Sequence, residues 1–90
     1  MFALATLSAG SFFRNPPGEA AGRLIERCGL KGCRVGAAQV SKKHANFIIN
    51  TGGARFGDVC GLAQVVKANV EEQTGILLEE EVQVLPADRR

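Results

Sequence analysis

Ninety residues allow one small domain with a modest core, because short chains bury a smaller share of their surface. Apolar residues make up 46% and charged residues 22%, ordinary globular usage that excludes a wholly disordered chain. Eleven Lys and Arg against nine Asp and Glu give a net charge of +2, and the basic residues are scattered, which argues against a dedicated nucleic-acid footprint.

The opening "MFALATLSAG" has neither a basic leader nor an apolar run long enough to span a bilayer, so neither a signal peptide nor a membrane span is expected. "AGSFF" reads as an entry strand in which the small Gly10 lets a ligand or a second strand approach Ser11 closely. Two readings of Ser11 stand side by side: a strand-edge serine bonded to nearby backbone, or a hydroxyl offered to a ligand. Asn15, just before Pro16, carries the same ambiguity between a turn former and a polar contact.

Beyond the proline pair, Ala21, Leu24, Ile25 and Cys28 recur at helical spacing and Gly29 supplies a stop, which predicts a helix over roughly residues 19 to 28. "GLKGCRVGAAQV" reads as one strand, and "HANFIINTGG" as a second, mostly buried around Phe47, Ile48 and Ile49 and closed by a double-glycine turn. Between them "SKKHANF" gathers Ser41, Lys42, Lys43, His44 and Asn46, a solvated loop or a set of groups able to receive a phosphate. "TGGA" matches neither a P-loop nor a dinucleotide fingerprint.

From Phe56 to Thr74, Val59, Leu62, Ala63, Val66 and Val70 mark one helical face, closed by Gly75. Gly57 and Gly61 within that stretch should cost roughly 1 kcal/mol each relative to alanine. "ILLEEEVQVL" alternates with period two, placing Leu78, Glu80, Val82 and Val84 on one side and Leu77, Glu79 and Glu81 on the other, and predicts a final strand. Its carboxylates are a solvated edge, or they present Glu81 to a cleft. The predicted order is strand, helix, strand, strand, helix, strand: an α+β domain with a small, mostly antiparallel sheet and two helices. Cys28, Cys33 and Cys60 lack metal or redox spacing and read as reduced thiols in a cytoplasmic protein.

Four stretches, "AGSFFRNPPG", "AGRLIERCGLKG", "VGAAQVSKKHANFIINTGGA" and "LEEEV", resemble in order and spacing the C-terminal domain of the UDP-N-acetylenolpyruvoylglucosamine reductase (MurB) family. The likeness spans residues 9–85, and "KHANF" is similar to the branch lacking an additional tyrosine-bearing loop. The resemblance implies an oxidoreductase of peptidoglycan precursor synthesis, in which NADPH reduces FAD and the flavin reduces the enolpyruvyl group of UDP-N-acetylglucosamine enolpyruvate. It implies that Ser11 donates the proton to the neighbouring carbon, that Glu81 helps stabilise the enol-like intermediate, and that Asn15 and His44 lie near the substrate diphosphate. Serine is a poor acid, so this role demands a strongly basic carbanion in a preorganised, dry site. Glu81 can assist only if it holds or shares a proton, which requires burial.

Relative to the family pattern, Glu80 stands where proline is common and Ala37 where a second glycine is common. The resemblance also implies that the two FAD-binding domains, and the arginine that joins the serine and glutamate, fall outside these 90 residues. The chain by itself is then expected neither to bind flavin tightly nor to turn over. The competing reading is a stand-alone, non-catalytic module that keeps the fold and binds a sugar nucleotide or a partner protein.

Overall fold

A computed structural model describes residues 11–81. After the Phe12–Phe13 segment come helix α1 (Ala21–Arg27), strands β1 (Arg34–Val35), β2 (Ala38–Val40) and β3 (Ile48–Asn50), and helix α2 (Phe56–Thr74). The three strands form an antiparallel meander in the order β1-β2-β3. Arg34 pairs with Gln39, and Val40 pairs with Ile48. Helix α2 packs on β1 and β2, and α1 packs on α2. This is the expected α+β architecture with a small antiparallel sheet and two helices.

Helix α2 forms where its apolar face predicts, and Val59, Leu62, Ala63, Val66 and Val70 are all buried. Gly75 ends it in the left-handed region at φ +77°, its N–H donating to the Glu71 carbonyl at 2.8 Å. Phe12, Phe13, Leu24, Ile25, Val40, Ile48 and Leu78 complete the core beside it.

Three sequence expectations are corrected. Helix α1 starts at Ala21, two residues later than its apolar spacing suggests, because Ala20 is extended (φ −98°, ψ 125°) and has no side chain with which to cap. The stretch read as one strand is a hairpin: Gly36 turns the chain at φ +57°, giving β1 and β2. Only the first central residue of this two-residue loop needs a positive φ, the pattern of a type II′ turn, so alanine is accommodated at the second position, Ala37. The entry and final strands shrink, among the described residues, to one antiparallel bridge between Phe13 and Glu80, with residues 82–85 of the expected strand outside the described part. Pro16 and Pro17 help bound the entry segment, since neither has an N–H for a ladder. The alternation predicted for the last strand nevertheless holds over Leu77–Glu81: Leu78 is buried, Glu80 half-buried, and Leu77, Glu79 and Glu81 exposed.

Asp58 joins the hairpin to α2. Its carboxylate accepts the Arg55 N–H at 3.0 Å and the Ala37 N–H at 3.4 Å. These two backbone bonds, helped by the Arg55 charge, hold its carboxyl below the ordinary value of 3.8 despite an opposing desolvation effect. The same carboxylate occupies the space that a side chain at Gly36 would enter, so this position is restricted both by its φ and by its neighbour.

Two predictions follow from this framework. Because the folded-state value of Asp58 is lowered, its contribution is complete above the unfolded value and is lost as pH falls through the lower folded one. The stability difference between the wild type and Asp58→Ala should therefore be flat above about pH 5 and shrink on acidification, read by urea unfolding at a series of pH values. The two helical glycines should behave differently. A Cβ at Gly57 meets nothing within 4 Å, whereas at Gly61 it lies 3.2 Å from Val35 Cγ1. Gly57→Ala should stabilise by about 0.4–1 kcal/mol in the same assay, and Gly61→Ala should gain less or lose stability.

Candidate functional site

The site is organised by Asn46, a buried polar side chain in the loop between β2 and β3. Its Oδ1 accepts the Phe13 N–H and its Nδ2 donates to the Phe13 carbonyl, both at 2.8 Å. The Asn46 carbonyl also accepts the Phe12 N–H at 2.7 Å. One asparagine thus supplies the pairing that a neighbouring strand would give, and fixes the Phe12–Phe13 backbone against this loop.

The loop is itself closed by local bonds. Ser41 Oγ accepts the N–H groups of Lys43 (3.1 Å) and His44 (3.2 Å), the Ser41 N–H donates to the Phe47 carbonyl, and the Phe47 N–H donates to the His44 carbonyl. The His44 ring rests at 5.4 Å from that of Phe47. The Asn15 Oδ1 accepts the Ala21 N–H at 2.9 Å, capping α1 from six residues upstream where Ala20 cannot.

These constraints leave an open groove of about 310 Å³. Ser11 and Asn15 of the entry segment, Lys43, His44 and Asn46 of the β2–β3 loop, and Gly22 and Glu26 of α1 line it. Three of the four site residues expected from sequence, Ser11, Asn15 and His44, therefore meet in one place. Ser11 is exposed, and among the described residues no group is bonded to its hydroxyl. Asn15 caps α1 through its oxygen and borders the groove.

The fourth, Glu81, is exposed and is not among the groove's lining residues. Its N–H donates to the Phe12 carbonyl at 2.8 Å, so its backbone is tied to the residue next to Ser11. Within "SKKHANF" the structure separates the roles. Lys43 and His44 border the groove, Ser41 is occupied by the loop, Lys42 lies over Gly32, and Asn46 is committed to Phe13. Asn46 is thus a framework residue that also lines the groove. Gly22 and Glu26 were not singled out from sequence, although their spacing of four places them on one face of α1.

The chain is a small α+β domain with a polar groove, bordered by a lysine and a histidine, at the join between its entry segment and the β2–β3 loop. Residues 3–85 match the family described as UDP-N-acetylenolpyruvoylglucosamine reductase, C-terminal domain, and the chain belongs to that family. It is 54% identical over 81 residues to the UDP-N-acetylenolpyruvoylglucosamine reductase of Geotalea uraniireducens, covering 90% of this chain and 27% of that protein. Over 78 residues it is 58% identical to the reductase of the same name from Syntrophotalea carbinolica, covering 87% and 26%. The crystal structure of UDP-N-acetylenolpyruvylglucosamine reductase (MurB) from Thermus caldophilus superposes with a TM-score of 0.73 at 51% identity, over 88% of this chain and 27% of that one. The chain spans about a quarter of the length of these relatives.

Replacing Asn46 tests the framework. Asn46→Ala leaves the Phe13 N–H and carbonyl without their partner, and each buried group so orphaned costs about 1–3 kcal/mol. Urea unfolding should show a loss in that range or above it, and a loss below about 1 kcal/mol would contradict the framework role.

Proposed function

We propose that this chain is the substrate-binding C-terminal domain of an NADPH- and FAD-dependent UDP-N-acetylenolpyruvoylglucosamine reductase, a cytoplasmic enzyme of peptidoglycan precursor synthesis. The observation that carries this reading is the meeting of Ser11, Asn15 and His44 in one groove, on a chain that belongs to the reductase's C-terminal-domain family.

The groove does not fit a flavin. A planar tricyclic ring needs an extended apolar wall, whereas here Ser11, Asn15, Lys43, His44 and Glu26 form the rim and the Phe47 ring is taken up beside His44. Flavin and nicotinamide chemistry accordingly belongs to the remaining length that the relatives possess. This domain's share is to hold the sugar nucleotide UDP-N-acetylglucosamine enolpyruvate and deliver a proton.

Binding uses the donor side of the groove. A diphosphate is doubly supplied with acceptor oxygens, and the Asn15 amide, the Lys43 ammonium and the His44 imidazole are donors of suitable chemistry around it. Ser11, whose hydroxyl is not committed elsewhere among the described residues, gives its proton to the carbon next to the one that receives hydride. An O–H bond breaks as the C–H bond forms, and the serine oxygen recovers its proton from solvent after product leaves. Bound substrate lying over Ser11 excludes the water that would otherwise compete. Glu81, tied by its backbone beside Ser11, shares a proton with the enol-like intermediate once substrate and the rest of the reductase cover it.

In the intact reductase that carries this domain, Ser11→Ala should leave NADPH-driven flavin reduction close to wild type and slow reduction of the enolpyruvyl substrate by about 10²–10⁴-fold. Stopped-flow measurement of the two half-reactions reads this directly, and Glu81→Gln should show the same split. Equal loss in both half-reactions would refute the proton-donor assignment.

A further inference from the structure

Beyond the groove, a single ion pair ties α2 to the segment that carries Glu81. Lys67 Nζ stands 3.2 Å from Glu80 Oε1 and 3.0 Å from Oε2, gripping both carboxylate oxygens. The side chains are only 23% and 34% exposed, unlike the neighbouring Arg14–Glu79 pair at 3.7 Å, with 63% and 70% exposed. The half-buried Lys67–Glu80 pair is the one in which geometry is held, because solvent screens it less and the two-oxygen contact restricts both chains.

Glu80 is also the bridge partner of Phe13. On either side of it, the Glu79 carbonyl accepts the Arg14 N–H and the Glu81 N–H donates to the Phe12 carbonyl, both at 2.8 Å. Such a bridge, flanked by only two hydrogen bonds, draws part of its register from the burial of Phe13 and Leu78, because a one-residue slip would move every side chain to the opposite face. Lys67 adds a directional constraint, one that burial does not supply, from a helix whose own position is set by five buried residues, Val59, Leu62, Ala63, Val66 and Val70.

We infer that Lys67 is a positioning residue: by holding Glu80 it locks the Phe13–Glu80 register and thereby sets Glu81 beside Ser11. It touches neither substrate nor reacting atoms. The effect on chemistry rests on the function proposed above, while the locking of register stands on the ion pair and the bridge alone.

Amide exchange on the 90-residue chain tests the lock, and half-reaction kinetics of the intact reductase test its consequence. Lys67→Met should speed exchange of the Arg14 and Glu81 amides by roughly fivefold or more while core amides of α2 and β2 keep their protection. The charge-swapped pair Lys67→Glu with Glu80→Lys should restore slow exchange. In the reductase, Lys67→Met should lower the rate of enolpyruvyl reduction without changing KM for the substrate or flavin reduction by NADPH, and the swapped pair should recover it. Unchanged exchange at Arg14 and Glu81, or a general loss of protection, would overturn the lock. Faster exchange with both half-reactions unchanged, or both reduced alike, would overturn the positioning role. If Ser11→Ala in the same reductase spares enolpyruvyl reduction, the functional reading fails independently, and the exchange result still decides the lock.

Discussion

The two-way amide pairing of Asn46 with the Phe13 backbone is the constraint on which the site depends. Phe12 and Phe13 are both buried, their rings meeting edge to face at 4.9 Å, and burial alone would hold these side chains without specifying where the intervening backbone faces. Asn46 removes that freedom because its amide is donor and acceptor at once, matching one residue's N–H and carbonyl. The segment bearing Ser11 is thereby registered against the loop bearing His44, though the two are more than thirty positions apart in sequence.

Helix α2 performs the complementary task at longer range. Asp58 in its first turn accepts backbone N–H groups from Arg55 and Ala37, and Lys67, nine residues on, reaches the Glu79–Glu81 segment. The apolar face between these points fixes the helix against the sheet. Polar contacts from its first turn and from its middle then convert a packed but non-directional core into defined backbone positions. This division is physically expected, since hydrophobic burial is proportional to area and carries no orientation, whereas hydrogen bonds and close ion pairs do.

Periodic features were legible in the sequence and single contacts were not. The five-residue apolar face of α2, the glycine stops at Gly29 (φ +75°) and Gly75 (φ +77°), and the inward turn of Leu78 all repeat or terminate a pattern, and the structure places them as that pattern implies. The hairpin at Gly36 was hidden because β1 and β2 have two and three residues, too few for alternation to show against a glycine-rich background. Capping of α1 by Asn15 escaped for a related reason, as the cap comes from six residues away and not from the adjoining position. Of the site, the motif resemblance reached Ser11, Asn15 and His44, which share the groove, but local chemistry alone left each with an ordinary structural alternative. Asn46 shows why: asparagine in a polar loop looks like a ligand contact until its partner, 33 residues earlier, is known.

The same distinction explains how a chain with about a quarter of its relatives' length can hold a defined groove. The entry segment, the β2–β3 loop and the Glu79–Glu81 segment are irregular backbone, the class of structure that ordinarily moves most. Here each is fastened by polar contacts contained within residues 11–81: Asn46 to Phe13, Ser41 within its own loop, Lys67 to Glu80. None of these fastenings calls on the rest of the reductase. The domain therefore presents Ser11, Asn15 and His44 in a preset arrangement, and under the function proposed above the remaining length of the reductase would add cover, charge and the hydride to a substrate already aligned.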